Sequence, residues 1–91
     1  MNEPRTAGPN ELGVSIAAGP HEPERLLLIG TPSNGRVHVR EWSESNWAGP
    51  AHERDESVDT VYALCERAYA ERRRLSTSLR EIKAWLDGSA R

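Results

Sequence analysis

From Ser57 to Gly88 the apolar residues fall at steps of three and four: Val58, Val61, Tyr62, Cys65, Ala68, Tyr69, Leu75, Leu79, Ile82, Trp85 and Leu86. That spacing lines them along one stripe, the signature of a helix buried on one side. Such a stripe must lie against another apolar surface, which the rest of the chain has to provide. Ser57 or Asp55 suits the N-cap, Asp59 complements the helix dipole in the first turn, and Gly88 supplies the stop. Ser76, Thr77 and Ser78 are weak helix formers in a row, and Ser78 with Glu81 makes a capping-box pattern. The segment therefore reads as one long helix or as two consecutive helices of roughly 18 and 10 residues.

The N-terminal half has the other periodicity. Leu12, Val14 and Ile16 alternate with Gly13, Ser15 and Ala17 as in a strand with one buried face, and Pro20 and Pro23 end that run. A second strand is expected over 24–30 and a third over 36–43. Between them Thr31-Pro32-Ser33-Asn34-Gly35 has the chemistry of a hairpin turn. A three-residue loop there pairs Ile29 with Val37 and Leu27 with Val39, keeping apolar residues together. A tight turn on Asn34-Gly35 would oppose Ile29 to Arg40 and mismatch the faces. Residues 44–56 are polar with Gly49 and Pro50, and read as a long loop. The expected architecture is α+β, a three-stranded antiparallel meander followed by the helical segment on one sheet face. Residues 1–10, with two prolines and no periodicity, read as a flexible arm, and 11–88 as a single domain.

Ninety-one residues fit one small domain of modest stability. Phe is absent, so three Trp and two Tyr supply the aromatic area. The net charge of -2 and the single cysteine suit an ordinary soluble, cytoplasmic protein with no internal disulfide. No apolar run reaches membrane-spanning length and no secretory leader is expected.

Catalytic signals are weak. Cys65 lies on the helical stripe four residues from Val61 and from Tyr69, which reads as a buried, inert thiol. His21, His38 and His52 are scattered, which offers neither a base for Cys65 nor a zinc spacing. With no glycine-rich phosphate loop, neither a cofactor nor a metal is expected, and the chain reads as non-enzymatic. Two surfaces remain. Leu26, Leu28 and Trp42 share the sheet face opposite the helix, and with the Trp47 loop they form a candidate interface, whose expected occupants are a second copy of the chain or another protein. Residues 67–83 hold six basic and two acidic side chains. Arg67, Arg72, Arg73, Arg74, Arg80 and Lys83, with Trp42 for stacking, could instead contact nucleic acid. The leading expectation is a small homodimeric protein-interaction or regulatory module, and the alternative is a nucleic-acid-binding module.

Overall fold

The computed structural model describes residues 6–88. A four-stranded antiparallel sheet in the order β1-β2-β3-β4 comprises β1 (Leu12–Ile16), β2 (Arg25–Ile29), β3 (Arg36–Ser43) and β4 (His52–Ser57). Helices α1 (Val58–Ala70) and α2 (Leu79–Leu86) follow. The α+β class and the two C-terminal helices agree with the sequence reading; the strand number does not. The expected loop over 44–56 holds one 3-10 turn, Glu44–Asn46, and then the fourth strand. Its sequence, His-Glu-Arg-Asp-Glu-Ser, contains no apolar residue and hence no hydrophobic alternation to detect. Its inner face is held by ions instead: Arg54 reaches Glu41 at 2.9 Å and Glu56 at 3.3 Å.

The β2–β3 register also differs from expectation. Ile29 pairs with Val39, Leu28 with Arg40 and Leu26 with Trp42. Asn34 (φ 54) and Gly35 (φ 75) form a tight turn closed by Ser33–Arg36 hydrogen bonds of 2.8 and 3.0 Å. Two successive left-handed residues make the turn that matches strand twist, and the Asn-Gly pair tolerates it. Gly30 then pairs with His38, its N–H donating at 2.8 Å. Between these pairs β2 uses one residue more than β3, a bulge at Thr31-Pro32 that restores the apolar faces. Pro32 suits a bulge because it has no ladder N–H to lose.

One face of the sheet carries Val14, Ile16, Leu27, Ile29, Val37 and Val39, and onto it pack Val61, Cys65 and Ala68 of α1 with Ile82 and Leu86 of α2. Leu75 is partly buried against this cluster. The helical segment is broken in two, but α1 has 13 residues and stops at Ala70, ahead of the weak formers at 76–78 that mark the break in the sequence, and α2 has eight. Ser57 caps α1, accepting from Thr60 N–H at 3.1 Å, and Ser78 caps α2, accepting from Glu81 N–H at 3.1 Å. Trp85 Nε1 donates to Gly30 O at 2.8 Å and pins α2 over the end of β2.

Candidate functional site: the α1–α2 connector

Residues 71–78 do more than join helices. α1 ends in paired hydrogen bonds, Arg72 N–H to Tyr69 O at 2.9 Å and Arg73 N–H to Ala68 O at 3.0 Å, with Arg72 left-handed at φ 63. This is the Schellman arrangement, with arginine where glycine is usual. The chain then runs along the outer side of β1. Ala17 N–H donates to Arg74 O at 2.8 Å, Ser76 N–H to Ser15 O at 2.9 Å, and Ser15 N–H to Ser76 Oγ at 2.7 Å. Thr77 Oγ1 donates to Gly13 O at 2.9 Å. The connector thus satisfies the edge of the sheet.

Arg73 holds this strap in place. It is buried, with Nε donating to Ala17 O at 2.9 Å and Nη2 to Pro23 O at 2.7 Å. Its stem passes so near Gly19 that a Cβ there would lie 3.3 Å from Arg73 Cδ, so the glycine makes room for it. Of the basic residues singled out in the sequence, Arg73 is therefore structural and unavailable to a nucleic acid. The others do not form one patch. Arg72 and Arg74 stand exposed beside a groove between the end of α1 and the start of α2, floored by Leu75 and Leu79 and flanked by Tyr69. Arg67 lines a separate depression with Arg25, Glu22 and Glu71. Lys83 lies 3.8 Å from Asp87 and 5.5 Å from the Tyr62 ring centre, on a third surface. Arg80 is exposed.

The sequence spacing places Tyr69 on the buried stripe, whereas the structure leaves it 64% exposed. The buried line of α1 runs Val61, Cys65, Ala68, with Leu64 partly buried. Tyr69, one residue past Ala68 and one from the helix end, has turned outward.

The sheet face away from the helices also departs from expectation. Leu28 and Trp42 are each 1% exposed within the single chain, Leu26 and Trp47 half-buried. Trp42 Nε1 donates to Gly49 O at 3.0 Å, so the loop after β3 folds back over the ring. Arg40 lies 5.6 Å from the same ring and pairs with Glu11 at 2.8 Å. Residues 6–10 add to the cover. A Cβ at Gly13 would lie 3.6 Å from both Ala7 Cβ and Leu28 Cδ2, and Thr31 Oγ1 donates to Asn10 O at 3.2 Å. Residues 1–5 of the expected arm lie outside the described residues. Covered on this face, Trp42 cannot stack a base, and no geometry joins it to the arginines of the connector.

The charged groups of β3 and β4 perturb one another. Arg40, hydrogen-bonded to Glu11, holds that carboxyl below its usual range. Burial pushes Glu41 up, but hydrogen bonds and charge from Arg25 and Arg54 outweigh it and leave the carboxyl lowered. His38 bonds Glu53 Oε1 through Nε2 at 2.8 Å and lies 3.5 Å from Asp55 through Nδ1, which raises its pKa. Cys65 is fully buried, and desolvation pushes its thiol up to about 11, so the thiolate a nucleophile needs is disfavoured. Among the described residues no group of His, Cys, Asp and Glu could hold a metal ion, and no helix is long and apolar enough to cross a membrane. Scans against protein-family models, curated proteins and solved structures find no match to this chain.

Proposed function

We propose that the chain is a small non-enzymatic protein-interaction module whose docking surface is the connector groove, and that its partner presents an acidic segment bearing aliphatic side chains. The observation that carries this reading is Tyr69, a large aromatic 64% exposed at a groove floored by Leu75 and Leu79 and edged by Arg72 and Arg74. Aromatic and arginine side chains around an apolar floor are the composition of interface hot spots. The arginines are exposed, so they contribute steering and selectivity for carboxylates more than affinity. Affinity comes from burying the ring and the leucines. The strap that forms the groove is fixed to β1 by hydrogen bonds, so little ordering is left to offset binding. On the opposite sheet face Leu28 and Trp42 are buried within the chain, which leaves the groove as the better docking surface.

The test is an NMR titration of the chain with a synthetic peptide rich in Asp, Glu and Leu, beside its Lys-substituted counterpart and single-stranded oligo-dT over a salt series. The acidic peptide should shift resonances of Tyr69, Leu75 and Leu79, and Tyr69→Ala should weaken it by about tenfold or more, as hot-spot truncations do. Binding of oligo-dT with a steep salt dependence, in place of the acidic peptide, would move the function to nucleic acid. Equal binding of the acidic and basic peptides would overturn the charge argument.

A further inference from the structure

We infer that the free edge of β4 is a second docking surface, independent of the groove, which accepts an extended basic segment of another protein as a fifth strand. In an antiparallel sheet alternate residues turn N–H and C=O to opposite neighbours. Gly30 N–H donates to His38 O, so His38, Arg40 and Trp42 face β2. Val58 N–H donates to Gly35 O at 2.9 Å in the same register that pairs Ser57 with Arg36. His52, Arg54 and Glu56 therefore face β3, while the N–H groups of Glu53 and Asp55 point away from the sheet. Among the described residues the sheet ends there. One carbonyl on that side, Asp55 O, takes a long contact from Arg36 Nη2 at 3.4 Å. The six-residue edge is about 20 Å long, enough for a short strand to add.

Charge selects the occupant. The side chains of Glu53 and Asp55 share the face away from the helices, where His38 contacts both, and at 48% and 72% exposed the two carboxylates keep surface for a further cation. On the other face, the Arg54 guanidinium is already engaged by Glu41 and Glu56. A strand added beside β4 places alternate side chains next to the two carboxylates. Lysine or arginine there is favourable, whereas a second copy of β4 brings carboxylates against carboxylates, and like charges on neighbouring strands destabilise. The edge thus discourages self-association, as charged edges do, while remaining open to a basic strand.

Hydrogen exchange on the whole chain tests this with a synthetic peptide alternating lysine and valine and its glutamate counterpart. At saturation the lysine peptide should slow exchange of the Glu53 and Asp55 amides by about tenfold or more, with no change at Ser76. Asp55→Pro removes an outward N–H without touching the β3 ladder and should abolish the protection read at the remaining outward amide, Glu53. If this variant does not fold, the double variant Glu53→Lys with Asp55→Lys takes its place and should exchange the preference to the glutamate peptide. Equal protection by both peptides, or none from the lysine peptide at millimolar concentration, would overturn the inference. Protection of Glu53 and Asp55 that rises with protein concentration alone would overturn it in favour of self-pairing. The groove's acidic peptide leaves these amides unaffected, so the two surfaces fail or succeed separately.

Discussion

The β1 edge of the sheet ends in a hydrogen-bonded strap, whereas the β4 edge ends in charge. At β1, Ser15 and Ala17 give their outward amides to Ser76 and Arg74, and a buried arginine ties the strap to the Ala17 and Pro23 carbonyls. At β4 the outward amides belong to Glu53 and Asp55, whose carboxylates surround His38. Both arrangements manage the hazard of an unpaired edge. The first does so by satisfying it, which makes the strap part of the folding unit and creates a shaped groove on its outer side. The second does so by selectivity, which leaves the backbone groups accessible.

Truncation should break this symmetry most visibly. Ile16→Ala empties a fully buried site bridged to Leu75 and should cost about 2 to 5 kcal/mol in urea unfolding, whereas His52→Ala on exposed β4 should stay within about 0.5 kcal/mol. Comparable losses at both would show that β4 is as integral as β1. Next in size is Arg73→Met, which keeps the stem and removes the guanidinium. Leaving the Ala17 and Pro23 carbonyls short of a donor should cost about 2 to 3 kcal/mol. Unchanged stability would mean that the strap does not depend on this anchor. Arg72→Gly works in the opposite direction. Relief of the left-handed backbone should raise stability by about 0.5 to 1 kcal/mol, and a loss would show that the arginine side chain contributes something its exposed position does not reveal.

The smallest effect belongs to β4 and depends on pH. Because the folded state raises the His38 pKa, chiefly through the Glu53 hydrogen bond, protonated His38 favours folding. This contribution is fully present below the unfolded value near 6.5 and is lost as pH rises through the raised folded value. His38 and Glu53 are about half exposed, so screening limits it to a few tenths of a kcal/mol. His38→Gln should flatten the stability profile in that window. A profile unchanged by the substitution would assign the pH dependence elsewhere.

What was legible in the sequence followed hydrophobic period and capping. The core of Leu27, Ile29, Val37, Val39, Val61, Cys65 and Ala68 comes from stripes of period two and 3.6, and Ser57 and Ser78 mark both helix starts. The missed features lack either signal. β4 is paired by backbone and salt bridges with no apolar residue, so its six residues resemble a solvated loop. The Thr31-Pro32 bulge shifts the hairpin by two positions while preserving its faces, a change that pattern cannot register. The arginine run reads as surface charge because each member has the same composition signal, yet a backbone turn at Arg72 sends its neighbour Arg73 inward. Tyr69 keeps the stripe's spacing but lies one residue past Ala68, the last buried position of α1, and a helix turns successive side chains about 100° apart, which carries the ring outward. Of the candidate site, the sequence indicated the charged residues but not the groove, which requires the strap's pairing with β1.

Native-state hydrogen exchange of the unliganded chain tests the contrast between the edges most directly. Amides of Ala17 and Ser76, bonded across the strap at 2.8 and 2.9 Å, should exchange only through opening of the domain, with protection close to that of the central strands. The Glu53 and Asp55 amides should exchange at nearly the rate of an unstructured peptide, while the Arg54 amide between them is protected by its bond to β3. Protection alternating along β4 and continuous across the strap is the predicted result. Rapid exchange at Ala17 and Ser76, or uniform protection of Glu53, Arg54 and Asp55, would contradict the account.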